Sequence, residues 1–458
     1  MNGILILVCA QYALISCLQS ALFPVVLQSV QSYLDTSNAK MAALVSLYDI
    51  IQVFASLPCA SASRRLGCLH TLALGGATSC FGALLFAVST GYSGLALAQL
   101  LMGVGASTVT VLAPHIMTLI AVSPHQASAF LSWSYASASV GVVVGYILAG
   151  IVGPDQWRLL FLLNAAGVVP VAALLWFTTE PNRVECTVAN VVDMSQQEGG
   201  GDAIPPNAIE KGTTDDNGNC TGYGHLDEVD VKVPGGTHGE DVVELMANSD
   251  MAHALKSVQA IATNRVVVFT ILSQSCIGFG LAALIAFIPK YISGTLGESQ
   301  STTSILMATT VPATAAGVLI SGHVAQKYSL TARQLSQVLL ACCGGSLLLS
   351  VMFQISQVVI FTLLLIVDMM LVFGSMVPSV MIFPQILKQE HVPFANALSN
   401  TSIRLLGSVN GPLVLGMLLD VYGSSGTTAV QMCYTAVSIF SMGLAVVFAA
   451  LSLQSQNI

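Results

Sequence analysis

The chain has 458 residues, of which 54% are hydrophobic and 8% charged, with a formal net charge of -8 and a mean hydropathy of +0.79. An ordinary soluble domain carries about 25% charged residues, so a soluble enzyme, a disulfide-stapled secreted module and a disordered chain are excluded. The acidic balance also excludes a basic nucleic-acid binder, and a multi-span membrane protein remains. Most of the 11 cysteines sit in apolar runs, Cys9, Cys17, Cys80 and Cys343 among them. There they act as small apolar residues and define no redox compartment.

In chain order, residues 1–178 are apolar, 179–263 form an acidic insert, and 264–458 are apolar again. The insert holds 15 of the 22 acidic residues. It is rich in Gly, Asp, Asn and Thr and has no sustained apolar period, so it reads as a disordered linker with helix near Val242–Ala260. A helix crossing ~30 Å of hydrocarbon needs about 20 residues, so the two apolar parts accommodate twelve spans. They are expected at 4–31, 38–63, 69–89, 93–121, 126–151 and 157–178, then at 264–292, 300–326, 333–354, 357–386, 394–421 and 427–453. The fold class is therefore an all-α membrane protein of two six-helix bundles, 1–178 and 264–458, joined by the linker.

Eight basic residues (Arg64, Arg65, Arg183, Lys256, Arg265, Lys327, Arg333 and Lys388) fall on one face and three (Lys40, Arg158 and Lys290) on the other. The positive-inside rule makes the first face cytoplasmic and puts both termini and the linker inside, with the plasma membrane as the expected location. The sequon at Asn219 then goes unused. Lys290 is expected to snorkel at the outer surface.

The halves echo each other. His125–Phe130 opens the fifth span as Pro393–Leu398 opens the eleventh, and Gly145–Gly150 corresponds to Gly411–Gly416. Six plus six spans around a long inner loop is the layout of the major facilitator superfamily. More specific stretches are Ser46–Ile50 in span 2, Ala98–Gly105 in span 4, Phe287–Ile292 ending span 7, and Arg404–Gly407, Gly411-Pro412 and Leu419-Asp420 in span 11. In this order they resemble the organic anion transporting polypeptide family, a branch of that superfamily. The chain departs from the family in three places. The motif around span 6 is reduced to Asp155-Gln156-Trp157-Arg158, the large Cys-rich outer domain between spans 9 and 10 is missing, and the only histidine near span 3, His70, lies at the inner end. The resemblance implies sodium-independent movement of amphipathic organic anions, often by exchange, through two bundles rocking about a central site.

Ionisable groups inside a membrane are expensive, so each needs a reason. Asp49, Asp368 and Arg404 fall near the midplane of spans 2, 10 and 11, and His115 near the inner mouth of span 4. A guanidinium at that depth can hold a carboxylate or sulfate bidentately, or pair with Asp368 or Asp49 as an internal strut. Gln11 and Gln19 share a face of span 1, and Gln274 is their counterpart in span 7; these amides either bind substrate oxygens or join helices. The glycines of spans 5 and 11 suit close packing, and Pro412 should kink span 11. No Walker A loop, nucleophilic triad or metal-spaced cluster occurs in the sequence, so no cofactor, ATP drive or enzymatic activity is expected. The leading reading is a monomeric secondary transporter of organic anions in the lipid bilayer. The rivals are a proton-coupled facilitator for small monocarboxylates or other small solutes, using Asp49 or Asp368, and a non-transporting membrane sensor or intramembrane enzyme.

Overall fold

A computed structural model describes residues 2–121, 124–153, 156–179, 256–388 and 391–456, apart from the side chains of some helical residues such as Arg64. The described residues are helical and include no strand. This is what hydrocarbon requires, because a helix satisfies its own backbone groups where no water can. The first half contains spans Gly3–Leu34, Asn38–Leu66, Cys68–Val88, Tyr92–Leu119, Pro124–Val152 and Trp157–Phe177. The second contains Arg265–Gly294, Gln300–Lys327, Ala332–Gln354, Val358–Ile386, Phe394–Tyr422 and Thr427–Ser455. Eleven described helices are long and apolar enough to cross a membrane, and the fifth span adds the shorter apolar stretch Ala136–Val152. These helices meet the expected twelve-helix architecture. Of the expected linker, 180–255 lies outside the described residues and 256–263 is helical.

Local chemistry sets the helix starts. Ser37 accepts from the Lys40 amide, and Thr331 and Gln334 form a reciprocal capping box at the start of span 9. Glycine then allows the helices to approach. A Cβ on Gly141 would lie 1.9 Å from the Ala13 carbonyl oxygen, and one on Gly411 would lie 2.1 Å from that of Phe279. These contacts bring span 5 against span 1 and span 11 against span 7.

One end of the bundle carries the 35–37 turn, Lys40, Arg158 and Lys290; the other carries Arg65, Arg265, Lys327, Arg333 and Lys388. They are called here the latched end and the basic end. Each half has an aromatic cluster toward the latched end. Phe86 packs on Phe23, Trp157 and Phe161, while Tyr291 packs on Phe353, Phe361 and Tyr434. The buried phenols Tyr291 and Tyr434 donate to the carbonyls of Phe353 and Phe287.

Candidate solute-binding site and its gate

Spans 1 and 11 are both broken by a π-helical segment, Leu18–Leu22 and Ile403–Ser408. Each segment lies just ahead of a proline, Pro24 or Pro412. A proline has no N–H and clashes with the carbonyl four residues earlier, which here is Ser20 or Ser408. The Ser20 carbonyl instead accepts from the Tyr146 hydroxyl at 3.2 Å. Span 11, expected to kink at Pro412, carries a π-helical segment one turn before it. Each π segment carries one of the sequence candidates: Gln19 in span 1 and Arg404 in span 11.

Arg404 Nη1 donates to Asp49 Oδ1 at 3.0 Å, an ion pair between the two halves with side-chain exposures of 19% and 16%. Asp49 lies eleven residues into span 2 from Asn38, about 17 Å down the helix axis and so close to mid-membrane. The buried phenol of Tyr48 lies within electrostatic reach of Asp49, Arg404 and Tyr12. Of the two pairings open to Arg404, the structure contains the one with Asp49.

Asp368 lies elsewhere. It is 3% exposed and accepts from the Ser346 hydroxyl at 2.6 Å, packed against span 9 within its own half. The Arg404–Asp368 pairing is thus corrected. The carboxylate reaches a hydroxyl on the neighbouring span because its side of span 10 points into the half and not toward the other half.

Of the two alternatives the sequence leaves to the amides, Gln274 takes the joining of helices. Gln274 donates to Ser379 and accepts from Ser399, joining spans 7, 10 and 11 within one half. Gln11 is fully buried, and a Cβ on Gly76 of span 3 would lie 2.2 Å from its Nε2 and 3.1 Å from Ala172 of span 6. Both amides are buried inside their halves, Gln274 with its bonds made and Gln11 with neither amide atom hydrogen-bonded among the described residues. Gln19 is partly exposed, and its Oε1 is buried without a partner. His115 is exposed toward the basic end of span 4.

Sequence reasoning missed the contacts that join the halves at the latched end. The carboxylate of Asp420 in span 11 accepts from the Asn38 amide at 2.7 Å, the Asn38 side chain at 2.8 Å and the Ala39 amide at 2.8 Å. It thereby neutralises orphan N–H groups at the start of span 2, where a helix favours negative charge. Lys290, expected to snorkel, instead donates to Gln31 at 2.6 Å and Asn38 at 2.5 Å. Ser293 reaches Gln28, Gln300 reaches the Val25 carbonyl, and Ser46 reaches the Val409 carbonyl. The hydrogen bonds between halves with both partners described all lie from the latched end down to Arg404. Asp420 and Lys290 could have been suspected from their positions at the mouths of spans 11 and 7.

An apolar groove of about 330 Å³ between spans 3 and 6, lined by Leu74, Phe81 and Trp176 among others, includes none of these residues. The chemistry of the central arrangement is non-covalent: a guanidinium held by one carboxylate, in a seam latched at one end. Such a site can take a solute's anionic group by exchanging one partner for another.

A family model described as Major Facilitator Superfamily matches residues 8–412, and the chain belongs to that superfamily. It is similar in structure to a bacterial homologue of the human lysosomal transporter Spinster, solved inward-facing and unoccupied, with a TM-score of 0.73 at 14% identity over 100% of this chain and 97% of that one. A D-xylose–proton symporter aligns with a TM-score of 0.67 at 13% identity, over 97% of each chain. The nucleoside transporter NupG aligns with a TM-score of 0.64 at 14% identity, over 97% of this chain and 98% of that one. At these identities the likeness is one of fold. The protein is a multi-pass membrane transporter of the secondary class.

Proposed function

We propose that this transporter moves amphipathic organic anions by alternating access, with Arg404 as the anchor for the anionic group and Asp49 as the partner that holds it when the site is empty. The carrying observation is the partly exposed Arg404–Asp49 pair across the seam between the halves. A carboxylate or sulfate arriving from the open side replaces Asp49 at the guanidinium, and Gln19 offers an amide from span 1. Loss of the cross-half pair then loosens the seam on which the latch stands. The eight-to-three charge bias supports a cytoplasmic basic end, with the linker and termini inside. A monomer in the plasma membrane completes the reading.

Uptake of a panel of labelled organic anions into liposomes containing the purified protein tests it. Arg404→Ala should raise the apparent KM for anions at least tenfold and leave a neutral analogue much less affected, with Arg404→Lys in between because charge returns without the fork. Anion uptake retained by Arg404→Ala, or driven only by an imposed pH gradient and indifferent to Arg404, would overturn it.

A further inference from the structure

Arg404 points at Asp49 because of the backbone it stands on. In the segment Ile403–Ser408 the Val409 amide reaches back five residues to the Arg404 carbonyl at 3.0 Å. An α-helix would reach back four, so the segment holds one extra residue. One residue is about 100° of rotation in an α-helix, so moving the extra residue along the helix swings the Arg404 side chain out of the seam. Two side chains hold it in place. Asn410 Nδ2 donates to the carbonyls of Leu405 at 2.6 Å and Leu406 at 3.3 Å, both inside the segment. Ser46, one turn before Asp49 on span 2, donates to the Val409 carbonyl at 2.7 Å. On the opposite side, Gly407 packs against the backbone of Ser275 and Phe279, where any Cβ would clash.

We propose that Asn410 and Ser46 are positioning residues for the substrate-binding group: they fix the π register of span 11 and thereby aim Arg404 into the seam. Asn410 belongs to the same helix as the segment and acts in every state. Ser46 belongs to the opposite half, so its bond reports the closed latch to the segment that carries Arg404. The proposal rests on the reading of Arg404 as an anion anchor, and its test separates the two.

In a background free of native cysteines, a nitroxide on Leu405→Cys reports collision with oxygen dissolved in lipid, since Leu405 is 40% exposed. Adding Asn410→Leu should lower that collision rate at least twofold as the side chain turns inward, and Asn410→Ser, whose hydroxyl can still donate to the carbonyl four residues back, should restore it. In transport, Asn410→Leu should raise the anion KM at least fivefold with kcat and a neutral analogue nearly unchanged, and Asn410→Ser should rescue. Ser46→Ala should give a smaller rise in the same direction. An unchanged collision rate in Asn410→Leu overturns the positioning role, as does an equal KM rise for anion and neutral analogue. If Asn410→Leu fails to fold, Ser46→Ala alone decides by the same two readouts. A changed collision rate with unaltered anion KM supports the register device and contradicts Arg404 as anchor.

Discussion

At the latched end the two halves meet through polar groups: the Asp420 carboxylate on the start of span 2, and the Lys290 ammonium on Gln31 and Asn38. At the basic end each half presents cations, Arg65 on the first and Arg265, Lys327, Arg333 and Lys388 on the second. The difference bears on how such a seam opens. A polar latch exchanges its hydrogen bonds for water at a net cost of only about 0.5–1.5 kcal/mol each, so it closes specifically and opens reversibly. An apolar seam of the same size would cost roughly 25 cal/mol for each Å² exposed and would hold one state. Like charges at the other end favour separation there and suit an anionic membrane surface.

The comparison can be broken at the latched end with a buried reporter. Ala42 is fully buried opposite Gly416, whose added Cβ would lie 2.7 Å from the Ala42 Cβ and 2.8 Å from the Asn38 carbonyl. A cysteine at Ala42 in a cysteine-free background should therefore resist a membrane-impermeant maleimide while the latch is closed. Gly416→Val, a wedge between the halves, should raise the labelling rate at least tenfold. No change would mean that spans 2 and 11 do not form the gate. Asp420→Asn removes the charge facing the N-terminus of span 2, an interaction of about 0.3–1 kcal/mol, and should raise labelling about two- to fivefold. Labelling that stays at the wild-type rate would leave the carboxylate without a gating role. Lys290→Met should have a smaller effect, about twofold, because Asn38 keeps its bonds to Asp420. Gln274→Leu sharpens the contrast from inside one half. It should leave labelling unchanged but lower stability by about 1–3 kcal/mol, read as a drop in melting temperature, because the Ser399 hydroxyl loses its acceptor while Ser379 still donates to the Ser375 carbonyl. Faster labelling in that variant would place Gln274 in the gate after all.

The six-plus-six architecture was legible because hydropathy and span length are properties of the chain itself. Arg404 and Asp49 were legible for a related reason: a charge at mid-span is too costly to stand alone, so its depth already pointed to a partner at the same depth. Which partner it took was not legible, since Asp368 has the same depth and only the rotation of span 10 turns it toward Ser346. Which of their two roles Gln11 and Gln274 take was not legible either. Helical periodicity says which residues share a face, but not which neighbour that face meets. The latch was missed because Asp420 and Asn38 are 382 residues apart and each looks like an ordinary polar residue at a helix end. The π segments had a signal in Pro24 and Pro412, but proline alone does not say whether a helix kinks or takes in an extra residue.

The central claim is that Asp49 and the transported anion compete for one guanidinium. Equilibrium binding of a labelled organic anion to the purified protein, compared between wild type, Asp49→Asn and Arg404→Ala, tests it most directly. Competition predicts that Asp49→Asn binds the anion several-fold tighter than wild type, because the occupant of the empty site has lost its charge, and that Arg404→Ala loses anion binding. Asp49→Asn binding the anion more weakly than wild type, with Arg404→Ala binding it undiminished, would contradict the account and leave the pair as a strut between the halves.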